Sequence, residues 1–351
     1  MYKRVIDKVK ISDFDALIVH NPTNINWMFN KNNYYIPSIL LVTSEIVYIF
    51  TKSRNIDNFR DLYPHQKVIF GALNELKAKC DELNFNKIGL EGNYLSINQF
   101  SAIKKSFDTY ELDLTNDFIE DLRVIKTPKE IRKIQRAVNL SDECFLEFLN
   151  YLKHGITEID AKNIFREIIF RRGADDLSFD ILISSGERSF LPHSASTDKI
   201  INKGELILID FGIVLDGYCS DTTRTVTIDY ATDKQQQIYN LVLKAQTNAL
   251  SKIKDGVSLS KADSFARTII TSEICKGCFD YGLGHGVGRL VHEKPRMHPE
   301  KDDLMKSGMV VSVEPGVYIK GWGGIRIEDL LVVEKKAPGH NLTSAPKKLI
   351  I

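Results

Sequence analysis

Five residues in the second half of the chain carry side chains that could do chemistry together: Asp210, Asp221, His285, Glu314 and Glu328. They lie in glycine-punctuated segments covering 205–228, 282–295 and 310–333. In the first segment Asp216-Gly217 stands between two β-rich runs, a two-residue hairpin signal. A turn centred there sets Asp210 opposite Thr223 and Asp221 opposite Gly212. The two aspartates then become diagonal neighbours on one face, about 7 Å apart or less. In the last segment Gly321-Trp322-Gly323-Gly324 marks the turn, and Glu314 and Glu328 are equidistant from Gly321. Closure near that point makes the two glutamates face each other.

Converging carboxylates repel unless cations neutralise them or protons bind. Two divalent ions would balance four acids, and five protein ligands exceed what one tetrahedral zinc takes. The oxygen-rich set favours Mn²⁺ or Co²⁺, with Fe²⁺ and Zn²⁺ as alternatives. Taken singly, each acid reads as a polar residue at a strand end. The matched segments make the set a candidate dinuclear centre.

The elements around these segments repeat. Thr127-Pro128-Lys129-Glu130 is a helix start, a capping box with proline at the first position. Apolar spacing from Ile131 to Leu152 continues that helix to Gly155, and a second runs from Thr157 to near Gly173. The first acidic hairpin follows. Helices over about 232–254 and 260–274 then precede the second. Helix, helix, carboxylate hairpin, occurring twice, predicts a duplicated unit that brings the two hairpins side by side. Residues 1–112 instead alternate β runs (Ala16–His20, Ile39–Thr43, Ile46–Phe50, Val68–Phe70, Ile88–Glu91, Thr109–Leu112) with helical patterns at Leu73–Leu83 and Ile97–Ser106. That alternation predicts an α/β layer domain. Asn21-Pro22 reads as a turn, and 113–127 as the connection. The fold class is therefore α/β (α+β), with domains at 1–122 and 123–351.

Bulk properties narrow the function classes. At 351 residues two domains are expected, and 43% hydrophobic with 26% charged residues describes a soluble globular chain. A net charge of +1 gives no reason to expect a nucleic acid or an anionic membrane as partner. The N-terminal stretch lacks the apolar core of a signal peptide, and no apolar run is long enough to span a bilayer. Cytoplasm is the expected location. Five cysteines make no disulfide framework, and the lone Cys275-Lys276-Gly277-Cys278 reads as incidental thiols at a helix end.

The catalytic part resembles the pita-bread metallopeptidases, specifically the Xaa-Pro branch that contains prolidase and aminopeptidase P. The stretches that carry the resemblance are LRVIKTPKEI (122–131), PHS (192–194), the Asp210–Asp221 segment, GHGVGRLVHEKPR (284–296), and EPGVY with GGIRIED (314–329). Residues 1–112 resemble that branch's non-catalytic domain, chiefly through DALIVHNPTNINWMF (15–29). The resemblance implies that Asp221 and Glu328 bridge two metals, that Asp210 holds one, and that His285 with Glu314 holds the other. It also implies that His193 and His292 contact substrate or stabilise the tetrahedral intermediate. Arg296 and Arg326 fall on the substrate side, Arg296 as a binder of a free carboxylate and Arg326 as support for a metal-binding aspartate. Glu314 would also serve as proton shuttle. Tyr281 stands where many relatives carry histidine, and Phe179 where some carry tyrosine. Trp322 would line the pocket or cap the core.

The expected activity is hydrolysis of Xaa-Pro bonds in short proline-containing peptides, with a dipeptidase favoured over an aminopeptidase P because of Arg296 and the compact chain. Methionine aminopeptidase shares the ligands but fits the large N-terminal domain and GGIRIED poorly. A silent binding domain or a metal-free amidine hydrolase would be expected to lose ligands, and all five stand. The resemblance also implies a homodimer.

Overall fold

Short apolar runs alternating with helices build the first of the two units into which the chain divides, Met1–Arg123; the second is Val124–Ile351. The computed structural model describes residues 1–31, 38–52, 56–274 and 277–351. In the first unit the strands are β1 (Ala16–Val19), β2 (Ser38–Thr43), β3 (Val47–Thr51), β4 (Lys67–Phe70), β5 (Lys87–Glu91) and β6 (Glu111–Thr115). They form one sheet in the order β4-β3-β2-β1-β5-β6, antiparallel only where β2 pairs with β1 and β3. The helices are α1 (Tyr2–Lys10), α2 (Pro22–Phe29), α3 (Ile56–Leu62), α4 (Leu73–Glu82), α5 (Ile97–Ser106) and α6 (Glu120–Val124). Strand alternation sends Leu17, Val19 and Leu40 into one apolar cluster and Ile18, Leu41 and Ile88 into another, so both faces of the sheet are covered.

Two sequence expectations change here. Asn21-Pro22 is not a turn but the start of α2: Asn21 caps it by accepting from Thr23 N, and Pro22 occupies the first position. The stretch 113–127 is not a bare connection either, because β6 runs on to Thr115 and α6 follows.

The second unit opens with α7 (Pro128–Phe148), capped by Thr127 and Glu130 as predicted, and α8 (Glu158–Arg171), capped by Thr157. Then come β7 (Asp176–Leu177), β8 (Leu182–Ser185), β9 (Ile207–Phe211), β10 (Ile213–Leu215), β11 (Tyr218–Cys219) and β12 (Thr222–Val226). Helices α9 (Asp233–Lys252) and α10 (Leu259–Glu273) follow, then β13 (Gly284–Gly286), β14 (Glu293–Met297), β15 (Val310–Val313), β16 (Gly316–Ile319), β17 (Gly323–Arg326), β18 (Asp329–Val332) and β19 (His340–Asn341). Helix, helix, acidic hairpin therefore occurs twice. Each copy buries its own core: Phe145 and Phe165 pack with Ile183, Ile209 and Phe211, whereas Val242 and Ala266 pack with Val311, Val313 and Ile325.

Each acidic hairpin is a single register interrupted once. Strands β9 and β12 pair Asp210 with Thr223, and β10 and β11 continue the same register at Val214–Cys219. Strands β15 and β18 pair Val313 with Asp329, and β16 and β17 resume at Gly316–Arg326. Between the two halves of each hairpin the ladder breaks, and Asp221, Glu314 and Glu328 sit in those breaks. At the first break the strands approach so closely that a Cβ on Gly212 would lie 2.2 Å from Ser220 O, so only glycine fits. Beyond α10 one expectation fails: Cys278 is disulfide-bonded and no incidental thiol, while Cys275 and Lys276 lie outside the described residues.

Candidate metal centre

The breaks in the two hairpins and the strands β9 and β13 deliver the five predicted side chains to one place. Ligand atoms of Asp221, His285 and Glu328 all lie within 4.8 Å of one another. His285 Nε2 stands 3.5 Å from Asp221 Oδ2 and 3.2 Å from Glu314 Oε1. Its Nδ1 lies 3.2 Å from Gly286 O. A proton on Nδ1 would satisfy that carbonyl and leave the Nε2 lone pair facing the acids, the tautomer a metal ligand needs. Asp210 stands outside the closest group, where Arg326 Nη2 donates to its Oδ2.

A cation fits this arrangement. Asp210 Oδ1 and Glu328 Oε1 are buried oxygens with no hydrogen-bond donor. Burial, then the charges of Glu328, Asp210 and Glu314, holds the Asp221 carboxyl well above the usual carboxylate range. Burial, then Glu314 and Asp210, does the same to Glu328. Asp210 is raised by burial against the opposing Arg326 charge. Glu314 behaves differently: burial pushes it up, but the His285 hydrogen bond and charge outweigh that and leave it below its ordinary value. Buried acids that crowd one another and present unfilled oxygens are a donor set for hard divalent ions.

The remaining predicted residues surround this cluster. His292 packs edge-on against His285, ring centres 4.4 Å apart. Partial burial and the charge of His285 hold its imidazole below the ordinary range. His193 stands exposed in the 191–194 turn, near enough for its charge to act on Asp210 and His292. Arg296 pairs directly with His285 across β13 and β14, which puts both side chains on one face. Arg326 is buried and spent on protein: besides Asp210 it donates to Thr223 Oγ1 at 2.8 Å, Tyr318 Oη at 2.6 Å and Pro192 O at 3.4 Å. Trp322 packs against the α9–α10 core under the Lys234 ammonium, so it caps the core.

Comparison with known proteins agrees with this geometry. Residues 132–335 match the profile described as metallopeptidase family M24, and residues 2–125 match the creatinase/prolidase N-terminal domain. The chain belongs to metallopeptidase family M24. An Xaa-Pro dipeptidase of Pyrococcus horikoshii is 30% identical over 99% of this chain and 98% of its own length. The solved structure of an Xaa-Pro dipeptidase from Bacillus anthracis is 31% identical, superposes with a TM-score of 0.95, and covers 100% of both chains. An X-Pro aminopeptidase structure from Thermotoga maritima reaches 0.87 at 29% identity, covering 98% of this chain and 99% of its own. Membership of family M24 makes the chain a metal-dependent peptidase with the pita-bread fold. No helix among the described residues is long and apolar enough to cross a membrane.

Within this M24 site several supporting residues escaped sequence reasoning. Thr223 Oγ1 donates to Glu328 Oε2 at 2.7 Å, and Ser312 Oγ donates to Glu314 Oε1 at 2.9 Å. Thr223 had a signal, since the hairpin register already sets it opposite Asp210. Tyr281, flagged only as a departure, donates from its hydroxyl to Glu314 O at 3.1 Å. Phe179 lies against the Gly212 approach, filling space beside the first break. Arg224, fully buried, donates to Glu328 O at 2.6 Å and to Asp329 Oδ1 at 2.8 Å, which fixes the backbone that carries Glu328.

Proposed function

We propose that the chain is an Xaa-Pro dipeptidase, a prolidase, working on two divalent ions, Mn²⁺ or Co²⁺ as the native metal with Zn²⁺ or Fe²⁺ as substitutes. The single observation that carries this reading is the crowded set of buried acids in and beside the hairpin breaks of an M24 chain, with oxygens that have no donor. Asp221 and Glu328 would bridge the ions, Asp210 would complete one site, and His285 with Glu314 the other. The catalytic part is 123–351, with 1–122 as the non-catalytic domain. The resemblance to the Xaa-Pro branch supports a cytoplasmic homodimer.

Bound there, the two ions supply an acidified water and a polarised scissile carbonyl, the two things amide hydrolysis lacks at neutral pH. The protein's own groups do the rest. Glu314 Oε1, set by Ser312 Oγ and His285, takes the water proton and passes it to the leaving nitrogen. His193 and His292 donate hydrogen bonds to the gem-diolate oxygens. Arg296 offers a planar fork to the free carboxylate of a C-terminal proline. Arg326 acts on Asp210 and not on substrate, because it is buried and each of its three nitrogens already donates to a protein oxygen.

The likeness to the Thermotoga aminopeptidase structure supports one second reading, an Xaa-Pro aminopeptidase. A matched panel decides: an Xaa-Pro dipeptide, the same peptide extended by one residue, and a Met-initiated peptide, each with metal-loaded protein. Fastest cleavage of the dipeptide is the expected result. Preference for the tripeptide selects the aminopeptidase, and cleavage of the Met-initiated peptide alone overturns both.

A further inference from the structure

His193 presents a mechanical problem. It sits exposed in a tight turn in which Ser194 N donates to Leu191 O at 3.1 Å, well away from any strand or helix interior. A group that must meet a reacting oxygen cannot be left to the freedom of such a turn. Two guanidinium groups remove that freedom from opposite sides. Arg326 Nη1 holds Pro192 O, the carbonyl just before His193. Arg188 Nη2 holds Ser194 Oγ at 2.9 Å and Ala195 O at 2.8 Å, just after it.

Arg188 is itself held. Its Nε donates to Glu158 Oε2 at 3.2 Å. Glu158 opens α8, is fully buried, and gathers both ends of the segment that carries the turn. Its Oε1 accepts from Ser185 N at 2.7 Å and Ser185 Oγ at 3.0 Å, ahead of the turn. Its Oε2 accepts from Thr197 N at 3.1 Å and Thr197 Oγ1 at 3.0 Å, beyond it. The carboxylate also lies at the positive end of α8, which favours its charge. The arginine side chain is 33% exposed while its glutamate partner is fully buried, so the guanidinium reaches from the interior out to the turn.

We propose that Arg188, anchored by Glu158, is a positioning residue that orients His193 toward the reaction intermediate. The proposal rests on the reading of His193 given above. Its function is separable from metal binding, because among the described residues the side-chain hydrogen bonds and ion pair of Arg188 and Glu158 go to Ser185, Ser194, Ala195, Thr197 and each other, and not to the five metal-centre residues.

A double-mutant cycle tests it. On metal-loaded enzyme, Arg188→Ala is expected to lower kcat/KM for an Xaa-Pro dipeptide about tenfold, mainly through kcat, with metal content unchanged. In a His193→Ala background the same change should cost less than about twofold, since nothing remains to be oriented. Ser194→Ala, which removes one Arg188 acceptor and leaves the buried glutamate alone, should give a smaller loss that also vanishes without His193. It carries the cycle if Arg188→Ala folds poorly. Wild-type turnover by these variants, or the same fold-loss with and without His193, overturns the proposal. A second readout needs no activity: in metal-free protein the His193 Hε1 proton resonance should be single in wild type and broadened or split in Arg188→Ala, with His292 unaltered. An unchanged His193 signal also overturns it. Wild-type protein that cleaves no Xaa-Pro bond would instead sink the functional reading, and the resonance would still judge the positioning.

Discussion

Each unit of this chain has a site of carboxylate burial, and the two sites treat their acids in opposite ways. In the N-terminal unit Glu91 ends β5 and is surrounded by donors: His20 N at 2.6 Å, Asn21 N at 2.8 Å and Asn24 Nδ2 at 2.7 Å. At the metal centre of the C-terminal unit Asp210 Oδ1 and Glu328 Oε1 are buried with no donor, and after burial the largest influences on Asp221 and Glu328 are the charges of other acids. Burial raises the carboxyl in both places, to about 7 for Glu91, so an elevated pKa does not separate them. Donor supply does. A buried acid satisfied by its own chain is structural, here closing the start of α2. Buried acids that lack donors and also crowd one another await something from outside the chain.

The sharpest way to break that contrast is to remove one acid from each kind of site. Glu328→Ala should abolish peptidase activity, by about a thousandfold or more, and lower bound metal, because on the proposed reading ions worth several kcal/mol of transition-state stabilisation lose a bridging ligand. The fold should persist, since the lost Thr223 hydrogen bond is offset by relief of repulsion among the remaining acids. Metal analysis beside turnover checks this; full activity, or one tetrahedral ion in fully loaded protein, ends the two-ion reading.

Next in size are the histidines. His292→Ala and His193→Ala should each lose about a hundredfold in kcat while keeping most of the metal, as expected of donors aimed at the intermediate. Parallel loss of metal and rate would move them into the coordination sphere. Smaller again is Arg296→Ala. A bidentate charge-assisted contact contributes about 1.5–3 kcal/mol, so dipeptide cleavage should fall about ten- to a hundredfold relative to the extended peptide. Arg296→Lys should restore it poorly, because the fork is lost. The ratio of kcat/KM for the two peptides is the measurement, and indifference of that ratio to Arg296 removes the residue from substrate binding.

How far the two regions were legible in sequence follows from the range of the signals involved. The acid hairpins were readable because Asp216-Gly217 and the 321–324 turn fix register locally, and register then carries side chains many residues away to one face. The capping box at Thr127 fixed the start of α7 equally well. Asn21-Pro22 misled for a physical reason: asparagine followed by proline serves a turn and a helix start alike, and only the packing of Trp27 and Met28 behind it decides for α2. Residues that act across the fold were invisible. Glu158 reaches Ser185 and Thr197, and Arg224 reaches Glu328, contacts that no periodicity reports.

The smallest predicted effect tests the structural half of the contrast, through pH. Glu91 is raised to about 7 in the folded state by burial, against the usual 4.5. Its folded form therefore holds a proton that the unfolded chain has released, and the stability this gives is lost as pH rises from about 4.5 through 7. His20, beside it, is lowered to about 4 by burial against the usual 6.5. Its folded form lacks a proton that the unfolded chain binds, so its contribution is present above 6.5 and is lost as pH falls through 4. Between about 4.5 and 6.5 the two slopes have opposite sign and similar size, at most about 1.4 kcal/mol per pH unit each, and should nearly cancel. Glu91→Gln should unmask the histidine, so that the variant gains stability relative to wild type as pH rises through that window. His20→Gln should unmask the glutamate and tilt the difference the other way. Denaturant unfolding of each variant against wild type, at a fixed metal state across pH 4.5–6.5, measures the two differences. Parallel curves for all three proteins would mean that neither group titrates with the fold, and that Glu91 is held by its donors as a plain carboxylate.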